Sequence, residues 1–219
     1  MEQFNEKAAD TNTRPMLTVE KKVVQLFQLV TDSTAGATEA LLSSDRAIAK
    51  ETMAREELVD SLYSDVENLV LERLSTLDLP KARVQELIVI LRMLPELERS
   101  GDLAEHIAWR ASRGLGNELT SRLRGLINSM GHQTVKMWTE TTLAFIEGTG
   151  ERVDEIKELD DELDELHVAL TAEIVGSGIP TQVAIEMAMV GRFYERLGDH
   201  AVNLVRRSSK IGINEPRWN

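Results

Sequence analysis

Apolar residues recur along this chain at helical spacing, and glycine- and proline-marked joints cut the pattern into six blocks. Leu17, Val23, Val24, Leu26, Phe27 and Leu29 predict a first helix from Met16 to about Ser43, weakened in its second half by Gly36. Asp45 is placed to cap a second helix that reaches about Leu77, where Asp78-Leu79-Pro80 ends it. Pro80 suits the first turn of a third helix running to Arg113, which Gly114 and Gly116 stop and which Pro95 should kink. A fourth helix is expected from about Glu118 to Glu147, a fifth from about Gly150 to Ile174 and a sixth from Pro180 to about Lys210.

Three helices in each half, joined by short connections, predict an all-α protein of two tandem pseudo-symmetric three-helix bundles, six long antiparallel helices in all. The expected boundaries are a disordered polar leader at 1–14, a first repeat at 15–115, a second at 116–212 and a tail at 213–219. Composition agrees: the chain is 42% hydrophobic but only 4% aromatic, which suits helix packing better than a β-sandwich.

The two halves share chemistry as well as plan. Leu97-Glu-Arg-Ser-Gly-Asp-Leu-Ala-Glu-His-Ile-Ala-Trp-Arg-Ala-Ser112 recurs in the sixth helix as Tyr194-Glu-Arg-Leu-Gly-Asp-His-Ala-Val-Asn-Leu-Val-Arg-Arg-Ser-Ser209, and both copies keep Glu-Arg-x-Gly-Asp. Each copy sets two carboxylates four residues apart, one helical turn above each other. At about 100° per residue, Glu98 and Asp102 continue a stripe with Val84, Ile88, Leu91, Pro95 and Trp109. Asp160 and Asp164 align with Val153, Ile156, His167 and Ile174 on the fifth helix. Glu56 and Asp60 align with Ala49, Met53, Tyr63 and Val70 on the second, and Glu195 and Asp199 with Ile185, Ala188 and Val202 on the sixth.

Acid pairs set into apolar stripes repel each other and lose solvation, so something must compensate them. Arginines can do so, and so can a bound cation bridging acids from neighbouring helices. With no cysteine, a metal must be held by oxygen or imidazole, and an all-oxygen set selects ions such as Mg²⁺, Mn²⁺, Ca²⁺ or Fe³⁺. The candidate metal ligands are Glu56, Asp60, Glu98, Asp102, Asp160, Asp164, Glu195 and Asp199. His167 and His200 are either nitrogen ligands or half-buried packing residues, while His106 and His132 carry no supporting pattern.

The net charge of −12 argues against a nucleic-acid binder. No stretch approaches the roughly 20 apolar residues of a membrane span, and the polar start carries no signal-peptide core. These features lead to the expectation of a soluble cytoplasmic protein without direct membrane insertion. No phosphate-cradling glycine loop, Walker sequence or nucleophile with a paired base is present, so no enzyme is expected.

The repeated Glu-Arg-x-Gly-Asp, the upstream acidic-x₃-acidic of each half and the closing Gly191-Arg-Phe-Tyr-Glu-Arg-Leu-Gly-Asp-His-Ala-Val202 resemble the PhoU family over about Leu17 to Gly212. The resemblance implies two three-helix bundles in tandem and, in some members, metal clusters of Fe, Mn or Mg on the acidic motifs. It also implies a non-enzymatic negative regulator of phosphate uptake, set between the phosphate ABC transporter and a sensor histidine kinase. A homodimer paired through helix faces is consistent with that fold. Two alternatives stand beside it: a metal-free helical scaffold with arginine-neutralised acids, and a carboxylate-bridged di-metal enzyme. The enzyme would need Glu-x-x-His, which the chain lacks.

Overall fold

In the computed structural model the described residues are 3–76, 78–148 and 150–209, with side chains from residue 18 onward. They form seven α-helices and one 3₁₀ turn: α1 (Gln3–Ser43), α2 (Arg46–Ala54), α3 (Glu56–Leu74), α4 (Lys81–Ser112), the turn Leu115–Glu118, α5 (Ser121–Glu147), α6 (Val153–Gly176) and α7 (Thr181–Ser208). The fold is all-α, as the periodicity predicts, and no strand occurs among the described residues. Leu77, Lys210 and the tail at 213–219 lie outside the described residues. Helix α1 takes in residues 3–14, which the sequence reading assigned to a leader, and its first buried side chain among those described is Val19.

The expected second helix is divided. Asp45 caps its start, its carboxylate accepting from the backbone N–H of Ala47 at 2.7 Å and of Ile48 at 3.3 Å. The regular helix breaks at Arg55, whose backbone stays right-handed at φ −72° and ψ −20°. Two anchors explain the bend: the Arg55 guanidinium donates to the Asp32 carbonyl on α1 at 3.1 Å and pairs with Glu51 at 3.0 Å. Tertiary attachment to α1 outweighs the straight continuation that local propensity favours.

Helix α4 runs through Pro95 as one element. Gly114, at φ 90°, supplies the left-handed residue that turns the chain out of α4. The fourth predicted helix starts later than expected. Residues 115–118 wind as the 3₁₀ turn, and Thr120 caps α5 by accepting from the Leu123 N–H at 3.2 Å.

Helix α1 packs on α4 and α5, α4 on α7, and α5 on α7; α2 and α3 lean on α1 and α4, and α6 on α5 and α7. The two repeats therefore share one apolar core. Phe27 of α1 meets Phe145 and Trp138 of α5 at ring-centroid distances of 5.4 and 6.0 Å. Polar atoms in this core are satisfied across the repeats: Trp138 Nε1 donates to the Leu197 carbonyl at 3.0 Å, and Thr38 and Tyr194 share a hydroxyl hydrogen bond of 2.7 Å. Between α4 and α7, Arg110 pairs with Glu186 at 2.7 Å and Arg207 with Glu96 at 3.3 Å. No helix among the described residues is long and apolar enough to cross a membrane.

Candidate metal centres

At the glycine of each Glu-Arg-x-Gly-Asp copy a neighbouring helix packs closely. A Cβ on Gly101 would stand 3.2 Å from Val59 Cγ1 on α3. A Cβ on Gly198 would stand 2.7 Å from Leu163 Cδ2 and 2.8 Å from Asp160 Oδ1 on α6. Val59 directly precedes Asp60, and Leu163 directly precedes Asp164. The missing side chain thus lets α3 onto α4 and α6 onto α7 at the level of the acid pairs. In the motif the glycine serves packing, and the approach it permits brings the carboxylates of two helices into one electrostatic group.

Two such groups form, one in each half. In the first, burial raises the Glu56 carboxyl above its ordinary range, and Asp60, Asp102 and Glu105 add to the rise. Glu98 is raised by burial, then by Asp102 and Asp60, with Arg99 opposing. In the second, burial followed by the charges of Asp164, Asp199, Asp161 and Glu195 pushes Asp160 up to about 6. Glu195 is raised by burial and by Asp199 and Asp164, while Arg192 and His167 pull it down. All eight predicted residues therefore fall into two seams: Glu56, Asp60, Glu98 and Asp102 between α3 and α4, and Asp160, Asp164, Glu195 and Asp199 between α6 and α7.

Their depth differs from the expectation of acids sunk in an apolar face. Glu56, Glu98, Asp102, Asp160 and Glu195 are half-buried, whereas Asp60, Asp164 and Asp199 are exposed. The stripe through Val84, Ile88, Glu98, Asp102 and Trp109 is a flank of α4, with Ile88 at 36% and Trp109 at 38% exposure. The core row of that helix is Leu87, Ile90, Leu94, Leu97, Ala104, Ala108 and Ala111, one residue step around the axis. The acids line the edge of the core, where the low dielectric of packed side chains meets water.

Among the described residues the sole ion pair on any of the eight is Arg192 with Glu195. Glu195 Oε2, by contrast, is a buried oxygen with no hydrogen-bond partner. An orphaned carboxylate oxygen within a set of mutually repelling carboxylates has the donor chemistry of a hard-cation site. Among the described residues, however, no three His, Asp or Glu side chains draw together closely enough to form a metal-binding group.

The histidines separate into different roles. His167 lies close to Gly191, whose Cβ would stand 3.2 Å from its ring, and acts electrostatically on Glu195. His200 faces away from its seam: its Nδ1 lies 2.9 Å from Ser100 Oγ, and burial, Arg196 and Arg99 push its pKa down to about 4. It is a neutral packing residue between α4 and α7. His106 packs on Phe193 with ring centroids 5.5 Å apart, and His132 Nδ1 bonds the Asn128 carbonyl at 2.8 Å. Sequence reasoning missed Glu105, although it stands seven positions after Glu98 and three after Asp102 and so continues the same helical row.

These features define a duplicated helical protein with a carboxylate seam in each repeat. The profile of the PhoU domain matches residues 23–111 and again 127–208, and the chain belongs to the PhoU family. It is 27% identical over 174 residues to "Phosphate-specific transport system accessory protein PhoU homolog 2" of Mycobacterium tuberculosis, covering 78% of this chain and 82% of that one. The corresponding figures for "PhoU homolog 1" of Thermotoga maritima are 23% over 195 residues, 87% and 84%. The crystal structure of PhoU from Pseudomonas aeruginosa superposes with a TM-score of 0.84 at 21% identity, covering 90% of this chain and 97% of that one. The phosphate transport system regulatory protein PhoU from Streptococcus pneumoniae gives 0.81 at 22% identity, with 94% and 98% covered.

Proposed function

We propose that this chain is a non-enzymatic regulator of phosphate uptake that docks on the cytoplasmic side of a phosphate ABC transporter and on a sensor histidine kinase, restraining the phosphate-starvation response. Membership of the PhoU family carries the reading, and its relatives, named as phosphate-specific transport system accessory proteins, supply the physiological context. The described helices present long exposed faces, which suits an adaptor. Affinity capture from phosphate-replete cells tests it: transporter subunits and the kinase are expected with the tagged chain, and recovery of neither overturns the role.

The seams extend this reading. A bound Mg²⁺, Mn²⁺ or iron ion would neutralise the crowded carboxylates and let α3 close on α4 and α6 on α7. Glu56, Asp60, Glu98 and Asp102 would hold it in the first half, and Asp160, Asp164, Glu195 and Asp199 in the second. Elemental analysis of protein purified without chelator measures the content. The double variant Asp102→Asn/Asp199→Asn should lower it while circular dichroism stays helical, and unchanged stoichiometry removes the ligand assignment. The Arg192–Glu195 ion pair favours a second reading, a metal-free scaffold whose acids are neutralised by arginines. That reading expects no metal in the unmodified protein.

A further inference from the structure

The arginine of each Glu-Arg-x-Gly-Asp copy has no place in cation binding, yet the repeat carries both to one location. Helices α4 and α7 pack together across the two halves, and Arg99 and Arg196 line a single cleft of about 650 Å³ between them. Both guanidiniums also lie near His200. Among the described residues neither is held in an ion pair, and both are exposed. Arg110 lines the same cleft but is committed, paired with Glu186 at 2.7 Å and lying over the Phe193 ring at 4.9 Å.

We propose that Arg99 and Arg196 form a binding site for a compact, multiply charged oxyanion: a phosphate ion or a phosphoryl group. Each guanidinium presents a rigid planar fork that grips two oxygens at once, and a tetrahedral dianion has oxygens for both forks where a single carboxylate would satisfy one. Leu103, Met189 and Phe193 make part of the wall apolar, which weakens competition from water. The cleft volume lies in the range of small-ligand sites. Asp102 and Glu105 stand in the same lining, and the chain carries a net charge of −12, so an extended polyanion such as nucleic acid or an anionic membrane is repelled. A compact ligand engages the two arginines with the least charge set against Asp102 and Glu105. The site is independent of the adaptor role, because its test uses the purified chain alone.

The test is isothermal titration calorimetry of the full chain, kept in EDTA so that no divalent cation bridges the anion. Inorganic phosphate and a phosphoserine peptide are titrated separately. Saturable binding of at least one is expected. Binding of phosphate identifies the free ion as a ligand, and binding of the peptide alone identifies a phosphoryl group carried by a partner. Arg99→Gln and Arg196→Gln should each weaken binding about tenfold or more, and the double variant should abolish it. Arg99→Lys/Arg196→Lys, which keeps the charge but loses the fork, should bind between wild type and Arg99→Gln/Arg196→Gln. Arg122→Gln, at an exposed ion pair with Glu173 outside the cleft, should leave affinity unchanged. Binding of neither ligand, or undiminished binding in the Gln double variant, overturns the site.

Discussion

The two carboxylate seams share a motif and a helix crossing, yet the second is the more strained electrostatically. Burial and neighbouring acids push Asp160 up to about 6, and its counterpart Glu56 is also raised by burial and by nearby acids. Position explains part of the contrast. Asp160 is held with its Oδ1 facing the backbone of α7, 2.8 Å from where a Cβ on Gly198 would stand. Four acids, Asp164, Asp199, Asp161 and Glu195, act on Asp160 where three, Asp60, Asp102 and Glu105, act on Glu56, and in the second seam Arg192 and His167 offset the crowding only at Glu195. A repeated motif fixes where carboxylates stand on a helix; the neighbours it did not duplicate set how much they repel.

The largest expected effect comes from closing the tighter approach. Gly198→Ala would set a Cβ 2.7 Å from Leu163 Cδ2 and 2.8 Å from Asp160 Oδ1 and should cost about 2–3 kcal/mol in urea denaturation. Its counterpart Gly101→Ala should be nearly neutral. The 3.2 Å contact with Val59 is a milder crowding, and the gain in helix propensity of about 1 kcal/mol offsets it. Equal losses at both sites would end the claim that the second seam is packed more tightly.

Next in size is Asp160→Asn. A carboxyl with a raised folded pKa favours the fold while protonated and opposes it once ionised, so its burden grows as pH rises from the unfolded value near 4 through about 6. In chelator at pH 7.5 the variant should be more stable than wild type by about 1–2 kcal/mol, allowing for solvent screening, and the gain should vanish below pH 4. His200 works in the opposite direction. Its lowered pKa makes it a neutral residue in the fold, so stability falls as pH drops from 6.5 towards 4. Removing the Asp160 contribution should therefore expose a steeper acid loss in thermal melts between those values; an unchanged pH profile would remove the strain assigned to Asp160.

The smallest effect is expected at Arg192→Gln. Arg192 is half-exposed, so the loss in stability should stay under about 1 kcal/mol. The variant should nonetheless raise the pKa of Glu195 measured by carboxyl NMR, because the cation that lowers it is gone. A fall in that pKa would mean that Arg192 does not face the carboxylate in solution.

Much of this molecule was written in its order of residues. Periods of three and four marked the helices, Asp45 its cap and Gly114 its stop, because these are effects of neighbours within one or two turns. The eight acids were legible for the same reason: a spacing of four is a contact on a helix, whatever surrounds it. Distances between helices obey no such local rule. The break at Arg55 accompanies a bond to a carbonyl on α1, the flank position of Glu98 and Asp102 follows from which side of α4 met its partners, and the shared cleft of Arg99 and Arg196 from the packing of α4 on α7. Those outcomes depend on how apolar surfaces fit once folded, and only the assembled tertiary structure fixes that fit.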